Sequence, residues 1–365
     1  MATLRETHMP FDGVIRDVSN ARNMAEVIDL VPEFGAEVST IPVYAANGTT
    51  MERYKTPVVD GVPLGGSQGA IIGADFGLTQ RRTNLEALQK LVDHGAQWRS
   101  VGLTKYGLRM IAEVALPEAT FGITRHNGRV DEIEPRCTIL DALNMELSRT
   151  SALMMFQIWC MNQWPSLVHS GNLMKQRHSR LIGDRLDKAQ TFLAERVQEV
   201  QQERSIIQRL EDTPLDSKAF VTFVSQLLTG EDDSQKALKA VNDMEAGSAK
   251  TILLRKVDTI ATLFHHGTGN CGRTAFDALS AVTEWRTKGG SVNEDAELLA
   301  RVKARVLGDN LDHEVTEAIY ASKVVLTDSE RRRTERRLQS NLDGTSAKLV
   351  QRAARLLTST TAIAA

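Results

Sequence analysis

The sequence predicts an α+β fold: a curved antiparallel sheet with one inserted helix, in the order β-β-α-β-β-β-α, followed by a helical C-terminal region. Three observations carry this expectation. Between residues 54 and 161 apolar side chains alternate or run together between turn residues, as half-buried strands require. One capped amphipathic stretch, residues 84–94, interrupts them. From residue 172 onward the apolar positions recur at steps of three and four, the helical period.

The elements follow in order. Residues 1–50 read as a leader, with a short helix over 23–30 and turns around Pro32, Gly35, Pro42 and Asn47-Gly48. Strand signals start at 54–59, stop at Asp60-Gly61 and resume at 70–76 after a Gly-Gly-Ser linker. Thr83 with Glu86 three residues on reads as a capping box for the helix at 84–94. That helix puts Leu85, Leu88, Leu91 and Val92 on one face and stops at Gly95. Three extended segments come next: 97–116, broken as a hairpin near Tyr106-Gly107, then 131–143 and 151–161. Over 172–211, Ile182, Leu186, Ala189, Leu193, Val197, Val200, Ile207 and Leu210 form one stripe. A helix of about 40 residues spans roughly 60 Å, too long for one small domain to cover, so this helix is expected to pack on a neighbouring subunit. The alternative is a helix folded back or kinked near Gly183. After Pro214 the pattern is helical, with breaks at 230–234, 266–272, 289–290 and 308–310. The domain reading is a leader (1–50), an α+β core with the long helix (51–212) and a helical region (213–365).

Composition narrows the function classes. Hydrophobic residues at 42% and charged residues at 25% describe an ordinary folded chain, and 5% aromatics imply an aliphatic core. The net charge of -2 offers no global basic field, so any nucleic-acid contact must rest on a local patch. Three cysteines, Cys137, Cys160 and Cys271, are odd in number and far apart, which suits free thiols in a reducing compartment. No basic-then-apolar leader and no run of about 18 apolar residues is seen, so neither secretion nor a membrane span is expected, and the reading is cytoplasmic.

Two blocks carry a resemblance. Cys160 and Asn162 end an apolar strand; Arg177-His178-Ser179 follows, then Arg185-Leu186 with Ala189; later come Thr274, Phe276, Ala281-Val282-Thr283-Glu284 and Trp285. This arrangement resembles a large family of phage- and plasmid-borne proteins catalogued as a domain of unknown function, over roughly residues 40–290. Gln163-Trp164 stands where that family usually has Thr-Leu, and Phe276-Asp277 where it often has Trp-Gly. The expected strand and helix order is also similar, in topology alone, to the single-strand annealing recombinases. That likeness implies a basic groove and assembly into rings or filaments.

The expected nucleic-acid surface joins Arg81, Arg82, Trp98, Arg99, Lys105, Tyr106, Arg109, Arg125, Lys175, Arg177, His178 and Arg180. Cations neutralise phosphates, and aromatic faces stack on unpaired bases. Lys105-Tyr106 would sit at a hairpin tip, and Lys175, Arg177 and Arg180 at the start of the long helix. The bland account is solvated charge that protects sheet edges.

The segment HHGTGNCGRT (265–274) mimics a phosphate-binding loop. Both motifs it imitates need a preceding strand, whereas KTILLRKVDTIATLF reads as a helix, and the phosphate-reaching lysine is absent. A helix end, a turn and a new helix capped by Thr274 is the plainer reading. His265, His266, Cys271 and His313 lack metal-ligand spacing, and Cys160 with His178 lacks a third catalytic group, so no metal, cofactor or catalytic residue is expected. The basic segment 328–357 is read as a solvated helix docked through Leu338, Leu349, Leu356 and Leu357, and the last eight residues as a frayed tail.

The expected function is ATP-independent annealing of single-stranded DNA by a homo-oligomer, with a single-strand binding protein or exonuclease as a further partner. The alternatives are a non-catalytic structural or regulatory phage assembly protein, and a nucleotide-binding enzyme using residues 267–274.

Overall fold

A computed structural model describes residues 15–65, 70–104, 107–145, 148–158, 162–165, 167, 173–178, 195, 199–267, 270–286 and 345–364. The architecture is α+β with antiparallel sheets, as the pattern predicted. The chain divides into two compact units that interleave in sequence: residues 1–120, 134–154 and 171–200 form the first, and 121–133, 155–170 and 201–365 the second.

The first unit begins with strand β1 (Ile15–Asp17) and helix α1 (Met24–Leu30). The Asn23 side chain caps α1 by accepting from the Glu26 N–H. Residues 15–50 are therefore structured, not only a leader. Strands β2 (Val38–Tyr44) and β3 (Thr50–Val59) pair as a hairpin, with β4 (Val62–Pro63) and β5 (Ile72–Gly73) against β3. The strand expected over 70–76 is thus only two residues long. In the β2–β3 register Pro42 stands opposite Lys55 and Pro57 opposite Thr40.

Helix α2 (Arg81–Val92) starts three residues before the predicted helix. Its N-cap is Gln80, whose amide is engaged with the Val38 N–H and C=O, so the capping box predicted at Thr83 is not formed. Strands β6 (Gln97–Thr104) and β7 (Arg109–Ala115) make the predicted hairpin, and β9 (Val130–Ala142) lies beside β7. With β10 (Arg149–Gln157) the order is β1-β6-β7-β9-β10. Register places Trp98, Val101, Leu103, Met110, Ala112, Val114, Cys137, Ile139 and Asp141 on one face. Helix α2 packs on this face through Leu85, Leu88 and Asn84, which contacts Met110 and Asp141. The opposite face carries Ser100, Glu113, Thr138 and Arg136, joined by hydrogen bonds and ion pairs.

The long helix predicted from residue 172 is corrected at its start. Leu173–Gln176 is strand β12, antiparallel to β10, with Arg149 opposite Gln176 and Thr150 opposite Lys175. Its stripe from Ile182 to Leu193 lies outside the described residues.

In the second unit, β8 (Phe121–Thr124) pairs with the first residues of β9, and β11 (Asn162–Pro165) is a further strand. Helices α3 (Val200–Asp212), α4 (Ser217–Thr229), α5 (Ser234–Asn242), α6 (Ser248–His266), α7 (Ala275–Glu284) and α8 (Thr345–Ala364) complete it. Every residue of α7 is buried, so this helix, which carries most of the second resemblance block, is the centre of the unit. Leu356 and Leu357 of α8 are buried as expected, but the segment predicted to fray is helical to Ala364. Among the described residues no helix is long and apolar enough to cross a membrane.

Candidate nucleic-acid interface

The predicted basic cluster separates on folding. Arg82 is exposed and pairs with Glu86 one turn along α2. Lys175 and Arg177 are exposed. Lys105, Tyr106 and Arg180 lie outside the described residues. Of the other six, the side chains of Arg81, Trp98, Arg109, Arg125 and His178 are buried, against the exposure expected of them, and Arg99 is partly exposed but paired.

Arg81 is buried and donates to the Glu33 and Gly107 carbonyls, each at 2.8 Å, and burial pulls its guanidinium down to about 10. It anchors the β6–β7 turn, where Gly107 has φ +83° and a Cβ would stand 2.8 Å from Arg81 Nη2. Trp98 is fully buried against the helix-bearing face. Arg109 is buried on the other face. Arg99 is held by Glu134 at 2.7 Å, and Glu134 also accepts from Arg136. Burial works to raise the Glu134 carboxyl, but these two guanidinium groups outweigh it and hold the carboxyl below the usual range.

Arg125 is the hub of a buried ion network in the second unit. It meets Asp131 at 3.1 Å, Glu211 at 3.3 Å and Asp277, and stands 4.6 Å from the Phe276 ring centroid. Asp131 also accepts from Arg129 and Gln157, each at 2.7 Å. Glu211 accepts from the His126 N–H and the Thr274 hydroxyl. Burial raises the Glu211 carboxyl, with the Asp277 charge adding to the effect, against the pull of Arg125. A guanidinium enclosed by three carboxylates organises a core and presents nothing to a phosphate.

The glycine loop belongs to the same network. Helix α6 precedes it where a phosphate loop needs a strand. Asp277 accepts from the Arg273 and Thr274 N–H groups and from the Cys271 thiol, completing a capping box with Thr274. Those loop amides are already occupied. Burial, then the neighbouring Asp277, pushes the Cys271 thiol up to about 11.

Strand β12 is where sidedness becomes informative. Side chains alternate, so Gln176 and His178 face inward while Lys175 and Arg177 face solvent. The inward pair closes a ring of buried polar groups. Gln176 accepts from Arg149 Nη1 at 2.5 Å, and Arg149 Nε donates to Asn84 Oδ1 at 2.5 Å. Asn84 Nδ2 donates to Asp141 Oδ2 at 2.8 Å, and Asp141 Oδ1 lies 2.8 Å from His178 Nε2. The His178 ring stacks on Phe76 with centroids 4.5 Å apart. Burial lowers the Arg149 guanidinium, partly offset by Asp141.

Sequence reasoning singled out His178 and missed Asn84, Asp141, Arg149 and Gln176 as its partners. The signals were there: Asn84 shares a helical stripe with Leu88 and Leu91, and Asp141 interrupts the apolar run 137–143. A polar residue on an apolar face needs a buried partner.

Among the described residues no group of His, Cys, Asp and Glu is arranged to hold a metal. In comparisons with known proteins, the family model described as "Domain of unknown function (DUF932)" matches residues 70–342. No curated protein and no solved structure matches.

Proposed function

The chain belongs to the DUF932 family, and we propose that it is a single-stranded DNA-binding protein whose phosphate contacts lie on the outward side of β12. It acts as a homo-oligomer that brings complementary strands together without nucleotide hydrolysis. The observation that carries this reading is the sidedness of β12. The four-residue strand and the two residues after it are fastened from within by Gln176 and His178 through Arg149, Asn84 and Asp141, while Lys175 on the strand and Arg177 just beyond it are exposed. Five buried polar groups are a large commitment for so short a strand, since each costs desolvation that its partner must offset. The result is two cationic side chains that leave the backbone on one side, their Cα atoms about 6.6 Å apart at about 3.3 Å per residue. A backbone already held in place leaves only the two side chains to be ordered when they bind phosphate.

An electrophoretic-mobility titration with labelled single-stranded DNA at two salt concentrations tests the proposal. K175A/R177A should weaken binding and reduce the salt slope by about 1.4, two contacts at about 0.7 each. A folded double variant with the parent's slope would remove β12 from the interface.

A second reading, a structural or regulatory assembly protein, is favoured by the β2–β3 hairpin. Ile41, Tyr44, Met51 and Tyr54 are all exposed there, a concentration suited to protein contact. Assembly without affinity for DNA would select it.

A further inference from the structure

We propose that the tip of the β2–β3 hairpin is a self-association surface, which packs on the same tip of a second copy of this chain across a two-fold axis. The hairpin is anchored at its base. Val38 sits in a core with Ala70, Leu108 and Leu143, Val59 packs against that core, and Val58 is buried. From Ile41 to Tyr54, by contrast, no residue is buried. Strand β5 pairs with β3 at Tyr54 and Lys55, so beyond them the arm is two strands wide. A two-stranded ribbon is marginally stable in water unless something packs on it. Half of the large apolar side chains exposed among the described residues lie on this arm, or in or next to its two short partner strands: Ile41, Tyr44, Met51, Tyr54, Val62 and Ile71.

Strand addition is blunted along both edges. On the β2 side the Gln80 side chain takes the N–H and C=O of Val38, and Pro42 has no N–H to offer. On the β3 side β4 and β5 are already in place. The arm is left to associate through its side chains. Tyrosine, methionine and arginine are the types enriched where proteins meet, and Tyr44, Met51, Arg53 and Tyr54 are all exposed here. A face that binds phosphates would be basic, whereas residues 41–54 carry one acid and one base, Glu52 and Arg53. Both are exposed, and neither is paired with a described residue. A contact across a two-fold axis brings residue i of one copy to residue j of the other, and j to i. Adjacent charges of opposite sign therefore meet their opposites when two such strands run antiparallel across the axis, Glu52 against Arg53 twice over. The tip complements itself in charge as well as in apolar surface.

The tip is smaller than the roughly 20–30 residues a side of a standard interface, so the pairing is reversible and follows concentration. For its role this surface rests on the homo-oligomer proposed above, which it resolves into two-fold pairs. The pairs are joined through β2 and β3, not through β12.

Sedimentation velocity on the full chain, from low to high micromolar concentration and without DNA, tests this. The parent should pass from monomer to dimer. I41D/Y54D should stay monomeric with the parent's far-UV circular dichroism, since both positions are exposed. A changed charge acts twice across a two-fold axis, so E52R and R53E should each weaken pairing about tenfold, and E52R/R53E should restore it to within about threefold of the parent. A parent that stays monomeric, or a double reversal that recovers nothing, would overturn the proposal. So would I41D/Y54D that pairs like the parent; if that variant had also lost affinity for single-stranded DNA, Tyr54 would serve bases instead. The DNA reading is judged separately by K175A/R177A, which should pair like the parent. Unchanged DNA binding in that variant would sink the DNA reading and leave the arm untouched.

Discussion

Replacing Arg125 by Met separates the two roles this residue could have. As a phosphate ligand on a surface it would be nearly neutral for stability, within about 0.5 kcal/mol. As the hub seen in the second unit, its loss strands three carboxylates that are each almost wholly buried. Breaking one partner of a buried ion pair costs about 3–5 kcal/mol. The cost does not triple. Asp131 keeps Arg129 and Gln157, Glu211 keeps the His126 N–H and Thr274, and Asp277 keeps the Arg273 and Thr274 amides. The expected loss is therefore about 3–5 kcal/mol in all. The urea slope is about 1–3 kcal/mol per molar for small proteins and grows with chain length, so the unfolding midpoint should fall by roughly 1 M. Far-UV circular dichroism against urea reads this directly. The reasoning fails if R125M unfolds within about 0.5 kcal/mol of the parent, or if its main defect is weakened DNA binding at unchanged stability.

Two carboxylates should leave opposite marks on the pH dependence of stability. The Glu134 carboxyl is held low, so its contribution is present above the ordinary range and lost as pH falls, and E134Q should flatten the acid limb. The Glu211 carboxyl is raised, so its contribution is present at low pH and lost as pH rises through its folded-state value; E211Q should remove that decline. Denaturation midpoints across the acid range check both, and limbs that match the parent would contradict the assigned environments. Gly272 has φ +68°, and a Cβ there would overlap the His265 ring, whereas Gly128 at φ +82° has open space around it. G272A should thus lower the melting temperature more than G128A, with about 1–3 kcal/mol from backbone strain alone.

Much of the fold was legible because burial follows period. The β6–β7 hairpin, the strand at 130–142 and helix α2 all appear where alternation or a helical stripe placed them. What failed was local. The cap at Thr83 satisfied a pattern, but Gln80 found a partner in Val38 that no spacing rule reveals. The strand at 173–176 was hidden because LMKQ is too short to show alternation against the stripe that follows, and its identity depends on pairing with Arg149–Ala152.

The candidate site was legible in charge and illegible in direction. A sequence lists cations but does not say which face of a strand they take, and a shift of one residue reverses that choice. Arg177 and His178 are neighbours in one motif, yet one reaches solvent and the other closes a buried ring with Asp141. The second motif block behaves differently. Thr274 caps a helix, and the positions from Phe276 to Glu284 are all buried, so its regularity is that of a core. Asp277, where the resembling family often has glycine, ties that core to Arg125.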